Sequence, residues 1–449
     1  MADAVLKYFG TDGIRGRIGK KPMTPDFIMK LGWAVGSILE SSPTGKKVLI
    51  GKDTRVSGYL FESALQTGLS AAGADVLLTG PMPTSSIAYL TRTLHAQIGI
   101  VISASHNSNL DNGIKFFSSD GFKLPHLVEE EIEKQLEKSL EIFDTEALGK
   151  AFRVNDAPGR YIEFCKSAVS HHCHFDQLKV VVDCANGATY HIAPKVFTEL
   201  GAKVITMNTT PNGYNINLNA GSQHPSFIQK RVIEEKADLG IAFDGDGDRL
   251  IMVDHRGEIV EGDEIIYMIA KHLLNTRQLS GGVVGTLMSN SGLEVALRKL
   301  GLPFIRVSIG DQHVMEELQK RSWQLGGENS GHIVYLPVNT TSDGIISALL
   351  VLEALINSGK TLNELKKGMT KWPQRIVNIP CHDRHLALDH PILEKQIKSA
   401  EKELKTGRIV LRYSGTEQVI RLMVEAQDSK QLDEIISQLT DTITQLTKI

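Results

Sequence analysis

Ser105 sits in a run of small polar residues, Ser103-Ala-Ser-His-Asn, that follows the apolar stretch Ala96-Gln-Ile-Gly-Ile-Val-Ile, with His106, Asn107 and Lys115 close behind. A serine hydroxyl leaving an apolar strand into such a turn can attack phosphorus or be attacked through it. The same position suits the cap of a following helix, because serine is a preferred N-cap residue, and the two readings are compatible. A second segment, Asp244-Gly-Asp-Gly-Asp-Arg, sets Asp244, Asp246 and Asp248 at alternate positions between glycines, so an extended loop can bring three carboxylates onto one hard cation. Magnesium fits best. A calcium-binding EF-hand loop would need Gly sixth and Glu twelfth, where this sequence has Arg249 and His255. A solvated acidic turn is the plain alternative, disfavoured because three acids this close repel unless something neutralises them.

Two further segments are built to hold rather than to react. Glu328-Asn-Ser-Gly-His offers a carboxylate, an amide, a hydroxyl and an imidazole on a Gly-flanked turn, a set suited to sugar hydroxyls. Arg412-Tyr-Ser-Gly-Thr-Glu, with Arg421 behind it, combines a fork-shaped donor, two hydroxyls and a glycine that lets backbone approach closely, as a phosphate clamp would. Arg15 in Phe9-Gly-Thr-Asp-Gly-Ile-Arg-Gly-Arg, and Lys52 and Arg55 in Gly51-Lys-Asp-Thr-Arg-Val-Ser-Gly, add basic groups in Gly-rich loops. Charges in such loops are more often solvated than functional.

The elements that would position these loops repeat three times. Lys47-Val-Leu-Ile-Gly-Lys-Asp, Lys179-Val-Val-Val-Asp-Cys-Ala-Asn-Gly and Gly282-Val-Val-Gly-Thr-Leu each read as a strand entering a turn. A helix-period segment then ends at Gly73, Gly201 or Gly301 before another apolar run, a place where glycine suits the left-handed residue past a helix end. Strand, helix, strand in this rhythm predicts right-handed βαβ units and a mixed, largely parallel sheet in each copy. The serine, aspartate and Glu328 loops all leave the last strand of their copy, where open α/β sheets bind ligands. Past about residue 372 the rhythm stops, and an extended stretch at 375–380, a charged helix at 391–404, two strands around 414–416 and a helix at 430–446 predict an α+β appendage. The expected units are therefore 1–155, 156–255 and 256–370, all α/β, and 371–449, α+β, with a linker near 367–373.

Composition allows this plan and narrows the function. A chain of 449 residues exceeds one compact core, and 41% hydrophobic with 22% charged residues is ordinary for a folded globular protein. With 49 basic and 52 acidic residues the net charge is −3, which gives no global field for nucleic acid or an acidic membrane. No secretory signal or apolar run of membrane-spanning length is present, so a cytoplasmic protein is expected. Cys165, Cys173, Cys184 and Cys381 form no CxxC pair and predict buried or bystander thiols, not a disulfide framework or a zinc site. In His171-His172-Cys173-His174, neighbouring side chains diverge too far to share one metal.

Taken together and in order, FGTDGIRG, SASHN with DNGIKFF, DGDGDR, GGENSGH and RYSGTE resemble the α-D-phosphohexomutase superfamily over essentially the whole chain. The resemblance implies four domains around a central cleft. It implies that Ser105 is a phosphoserine and that one Mg²⁺ per chain is held by its phosphate with Asp244, Asp246 and Asp248. Arg15, Lys115 and Arg249 would be the basic groups at the reacting centre; His106, Glu328, Ser330 and His332 would contact substrate. Arg412, Ser414, Gly415, Thr416 and Arg421 would hold the phosphate that does not react. GTDGIRG and DNGIKFF look like the glucosamine branch, which implies exchange of glucosamine 6-phosphate and glucosamine 1-phosphate through glucosamine 1,6-bisphosphate, upstream of UDP-N-acetylglucosamine. Mannose and glucose phosphates are the alternative substrates. The expected partners are small sugar phosphates, with no nucleic acid or membrane, and the chain is a monomer or homodimer. Ser108 and Gln418 stand where proline is common in the superfamily, and Gln312 where arginine often follows Gly-Asp. Two rivals are weaker. A haloacid-dehalogenase-type phosphatase with Asp244 as nucleophile would leave the other loops without jobs, and a non-catalytic sensor would not need Ser105 and all three aspartates.

Overall fold

The structure, a computed structural model, describes residues 6–40, 45–381, 388, 390–404, 406–413 and 419–447. In the first unit, strands β1 (Ile14–Arg17), β2 (Lys47–Lys52), β3 (Asp75–Pro81), β4 (Ile98–Ile102), β5 (Asp111–Ser118) and β6 (Ala151–Arg153) form one sheet in the order β1-β5-β4-β2-β3-β6. Helices α1 (Pro25–Ile38), α2 (Val56–Ala71), α3 (Thr84–Thr93) and α4 (His126–Leu136) belong to it. Strands β2, β3, β4 and β6 run parallel, while β5 returns antiparallel beside β4 and pairs on its far side with β1. Every residue of β4 is buried, so it reads as an unbroken apolar run.

The second unit repeats the design with α5 (Ala157–Lys166), β7 (Lys179–Asp183), α6 (Ala193–Glu199), β8 (Lys203–Met207), α7 (Ser226–Glu235), β9 (Leu239–Phe243), β10 (Leu250–Asp254) and β11 (Ile259–Val260), in the sheet order β11-β10-β9-β7-β8. The third has α8 (Gly262–Asn275), β12 (Val283–Thr286), α9 (Ser291–Lys299), β13 (Phe304–Val307), α10 (Asp311–Arg321), β14 (Leu325–Gly327), β15 (Ile333–Tyr335), α11 (Gly344–Ser358) and α12 (Leu362–Leu365), ordered β13-β12-β14-β15. The three glycines expected past the ends of the repeated helices all adopt left-handed φ, +76° at Gly73, +100° at Gly201 and +75° at Gly301. The sheets are mixed: each joins a parallel part to an antiparallel return.

That return changes one expectation. The serine, aspartate and Glu328 loops lie between β4 and β5, β9 and β10, and β14 and β15, each an antiparallel pair. No helix begins after Ser105, so the helix-cap reading of this serine fails. The loop leads straight into β5.

One apolar core runs through the first three units, including Leu49, Val101, Phe197, Phe243, Ile266 and Leu349. Buried polar groups cross the same seams: the Tyr161 hydroxyl donates to Asp343 Oδ2 at 2.7 Å and lies 2.7 Å from Ser85 Oγ. The fourth unit, β16 (Gln374–Pro380), α13 (Pro391–Leu404), β17 (Arg408–Tyr413), β18 (Val419–Glu425) and α14 (Ser429–Leu446), packs both helices on an antiparallel sheet of order β16-β18-β17 with its own core. Three units are thus fused and the fourth is an attachment. Among the described residues, no helix is long and apolar enough to cross a membrane.

Near the attachment, Asp263 in the first turn of α8 is buried and accepts a hydrogen bond from the Asn290 amide at 2.7 Å. Burial pushes its carboxyl up to about 7, against the hydrogen bonds from Asn290 and Ser289 and with help from Glu261 and Glu425. In the unfolded chain it titrates at about 3.9, so the stability this group contributes is fully present below that value and is lost as pH rises through about 7. Asp263→Asn keeps an acceptor and removes the titration. Relative to wild type, its thermal midpoint is expected to rise between pH 5 and pH 8; a difference that does not change with pH would contradict the assignment.

Candidate active site

The serine loop is held by one buried cation. Arg55, fully buried, donates from Nη2 to the carbonyls of Ser105 (3.0 Å) and Asn107 (2.8 Å), and from Nη1 to those of Ser108 and Asp111. Its Nε pairs with Asp53 Oδ2 at 2.7 Å, and the same carboxylate oxygen accepts from the Ser103 hydroxyl, which in turn accepts the Ser105 amide at 2.9 Å. From the second unit, Asn217 Nδ2 donates to the carbonyls of Ser105 (2.9 Å) and Asn107 (3.0 Å). These contacts hold Ser105 at φ +50°, a left-handed conformation costly for a residue with a Cβ.

The aspartate loop meets this loop backbone to backbone. A Cβ on Gly245 would lie 2.6 Å from the Ser105 carbonyl oxygen, so only glycine permits the approach. It places the Ser105 hydroxyl 2.6 Å from Asp244 Oδ2, across two sheets. Asp244 also accepts from the amides of Gly247 and Arg249 at 3.1 and 3.2 Å. His106 Nδ1 lies 3.4 Å from Ser105 Oγ, and burial with the charges of Arg249 and Arg15 pushes this imidazole down to about 4.

Three buried carboxylates require neutralisation, and the chain supplies it. Lys115 Nζ lies 2.9 Å from Asp246 Oδ2 and 3.0 Å from Asp248 Oδ2, and Thr84 donates to Asp246 Oδ2 at 2.7 Å. Lys115 also pairs with Asp12 at 3.3 Å; Asp12 holds Arg15 and Lys123, and Lys123 reaches Asp311 at 2.6 Å. Burial opposes each of these charges, but the alternation outweighs it. Lys115 titrates well above its ordinary value and Asp12 well below, while Asp248 is held at about 2 by Lys115, His332 and Arg249. Asp244 goes the other way: burial, then Asp248 and Asp246, push it well up.

Among the described residues, Asp244, Asp246 and Asp248 each offer a carboxylate oxygen within 4.8 Å of the others. Asp246 Oδ1 and Asp248 Oδ1 are buried with no hydrogen-bond partner among the described residues. Hard oxygen donors, two of them unpartnered and the third carboxylate beside the Ser105 hydroxyl, fit a divalent cation such as magnesium.

Two cavities flank this centre. One of ≈ 410 Å³ opens between the first and third units and is lined by Asp12, Lys115, Lys123, Asp248, Asp311 and His332. The other, ≈ 500 Å³, opens between the third and fourth and brings Arg249, Glu328 and Ser330 together with Arg412 and Arg421. Asp248 lines the first and its neighbour Arg249 the second, so the aspartate loop is the wall between them. His332 parts from Glu328 and Ser330, with which the sequence grouped it. Its Nε2 lies 3.8 Å from Asp248 and 3.6 Å from Asp311, two carboxylates that draw the ring into the first cavity. Ser414, Gly415, Thr416 and Gln418 lie outside the described residues.

Sequence reasoning placed Ser105, Lys115, Arg249 and the three aspartates near one another and passed over Asp12, Asp53, Thr84, Asn217 and Lys123. Arg55 looked like a solvated loop charge. Its signal was Asp53 two residues earlier, a carboxylate able to pair with it in the dry. Arg55→Met is expected to lower stability by about 3–5 kcal/mol in urea unfolding, because it leaves Asp53 buried without its partner. Adding Asp53→Asn should restore part of that loss; equal losses in single and double variants would contradict the pairing.

Comparison with known proteins agrees with the four-part architecture. The chain matches the phosphoglucomutase/phosphomannomutase alpha/beta/alpha domain I over residues 6–142, domain II over 159–257, domain III over 261–372, and the C-terminal domain over 376–442. It is 55% identical to a phosphoglucosamine mutase of Hahella chejuensis over 97% of this chain and 98% of that one, and 54% identical to one of Escherichia coli O157:H7 with the same coverage. Among solved structures, a phosphoglucomutase/phosphomannomutase family protein from Burkholderia thailandensis shares the fold with a TM-score of 0.80 at 24% identity, over 97% of each chain. An Aspergillus fumigatus N-acetylphosphoglucosamine mutase, solved with GlcNAc-6P and magnesium, shares it with a TM-score of 0.68 at 18% identity, over 99% of this chain and 96% of that one. With four matched domains in order and relatives of this identity over nearly its full length, the chain belongs to the phosphoglucosamine mutases of the α-D-phosphohexomutase superfamily.

Proposed function

We infer that this chain interconverts glucosamine 6-phosphate and glucosamine 1-phosphate by passing a phosphoryl group through Ser105. The observation that carries the reading is the Ser105 hydroxyl, 2.6 Å from Asp244 in a buried acidic centre ringed by Arg15, Lys115 and Arg249. The names of the relatives at 54–55% identity supply the amino sugar.

Phosphoserine carries about −1.5 to −2 charge near neutral pH, so attack on its phosphorus needs fixed positive charge nearby. Burial works against the charges of Lys115 and Arg15, but the carboxylates around them win and raise both. Both set positive charge at the reacting centre. Magnesium held by Asp244, Asp246 and Asp248 would supply further neutralisation of the phosphoryl oxygens. In the first transfer the sugar hydroxyl oxygen bonds to phosphorus as the bond from phosphorus to Ser105 Oγ breaks. The hydroxyl proton ends on Oγ, where Ser105 then donates to Asp244, and glucosamine 1,6-bisphosphate results. After this intermediate turns over in the cleft, its other phosphoryl group returns to Ser105, so none is consumed.

Glu328 and Ser330 take the sugar hydroxyls in this reading, and Arg412 and Arg421, with Ser414, Gly415 and Thr416, take the phosphate that does not react. His106 lies beside the transferring group and His332 on the other side of the aspartate loop. All the groups named sit on one chain, so a monomer holds a whole site. Cys165, Cys173 and Cys184, buried free thiols, suit a reducing cytoplasm.

Ser105→Ala is expected to abolish phosphoryl exchange between bisphosphate and monophosphate; full exchange in the variant would sink the reading. A direct comparison of glucosamine 6-phosphate with glucose 1-phosphate and mannose 1-phosphate should give the amino sugar the highest kcat/KM. A clear preference for either neutral sugar would move the chain to a different substrate. Asp246→Ala should weaken magnesium binding, read by calorimetry, and lower the rate along with it. Unchanged affinity would remove this loop as the cation site.

A further inference from the structure

The fourth unit is fastened to the rest at the far end of the sheet face that carries the clamp. Strand pairing sets Gln374, Arg408 and Glu425 abreast, then Ile376, Val410 and Met423, then Asn378, Arg412 and Arg421. Side chains alternate along a strand, so these three rows share one face. The second and third rows line the ≈ 500 Å³ cavity. The first row grips the third unit. Glu425, fully buried, accepts from the Ser291 amide at 2.7 Å and its hydroxyl at 2.6 Å, at the first turn of α9. Arg408 pairs with Glu425 at 2.7 Å and donates to the carbonyls of Leu287 (3.0 Å) and Ser289 (2.7 Å) and to Ser291 Oγ (3.1 Å). Gln374 donates to the Met288 carbonyl at 3.3 Å.

We propose that Glu425 and Arg408, hooked over residues 287–291, are positioning residues that set where Arg412 and Arg421 meet the sugar-phosphate. Segment 287–291 follows β12 directly and belongs to the unit that carries Glu328 and Ser330, so the hook fixes one wall of the cavity against the other. The apolar core of the fourth unit is separate from the main core, which leaves this polar seam to define the angle between them. Four residues of strand span roughly 13 Å, so a tilt of about 10° at the hook moves the arginines by about 2 Å, a misplacement that costs binding heavily. Glu425 fits the task because a carboxylate at a helix start is held by both the amide donor and the helix dipole.

The inference rests on the clamp assignment of Arg412 and Arg421 above, and the test separates the two. Ser291 is the first residue of α9 and follows Asn290 at φ −63°, ψ 139°, a backbone that tolerates a following proline. Ser291→Pro therefore deletes the amide and hydroxyl donors without altering the fourth unit. It is expected to raise KM for the sugar phosphate about tenfold or more with kcat within about threefold, as loss of uniform binding does. Ser291→Ala keeps the amide donor and should raise KM by less. Nitroxide labels at Lys320→Cys and Lys398→Cys, exposed on the third and fourth units, should give a narrow distance distribution in the parent and a broader one with Ser291→Pro. Glu425→Gln should follow Ser291→Pro in both readouts; if it fails to fold, Ser291→Pro alone decides. Unchanged KM and distance distribution, or a fall in kcat at constant KM, would overturn the hook. Arg412→Ala with no rise in KM would instead remove the clamp assignment, and the distance measurement would still judge the hook.

Discussion

Three aspartates on a five-residue loop, all buried, repel one another, and much of the central architecture answers that repulsion. Lys115 comes from the antiparallel return of the first sheet to lie 2.9 and 3.0 Å from two of them. Asp12 then holds Lys115, Arg15 and Lys123 in place, and Lys123 ties the first unit to Asp311 of the third. An alternating chain of charges crosses the interior where single charges would each be too costly to bury. The oxygens left without partners among the described residues on Asp246 and Asp248 leave the loop able to hold a cation. In the proposed mechanism the cations that offset this repulsion, not the carboxylates, face the anionic phosphoryl group.

The serine depends on this centre and on a second device. A left-handed serine would relax if released, but Arg55, Asn217 and the bare Cα of Gly245 close around its loop from two units. The first three units share one core and can keep that alignment rigid. The fourth unit, with a core of its own, meets them over a polar seam at residues 287–291 and carries its arginines on a sheet face anchored there. The reacting centre and the arginine-bearing sheet face are thus assigned to different parts of the chain, joined by that seam. In the proposed mechanism the substrate presents each of its ends in turn to one serine and meets both parts each time.

Much of this was legible from local pattern. The three helix-ending glycines follow from backbone geometry alone, and the alternating acids announced a cation site because their mutual repulsion calls for positive charge between them. Residue chemistry suggested the sugar contacts of Glu328 and Ser330 and the clamp of Arg412 and Arg421, whereas resemblance alone supplied the roles of Arg15, Lys115 and Arg249. The cap reading of Ser105 failed because nothing local distinguishes a turn into a helix from a turn into an antiparallel strand. His332 could not be separated from Glu328 in sequence, since the acids that draw it away, Asp248 and Asp311, are distant in the chain. Asn217 and Thr84 were invisible for the same reason: each acts on a loop more than a hundred residues away.

In the proposed mechanism Ser105, not Asp244, carries the phosphate. Incubating the protein with radiolabelled sugar bisphosphate, then mapping the labelled peptide by mass spectrometry, tests this directly. Label on the peptide containing Ser105, stable to hydroxylamine, is the predicted result. Hydroxylamine-labile label on the peptide containing Asp244 would contradict it.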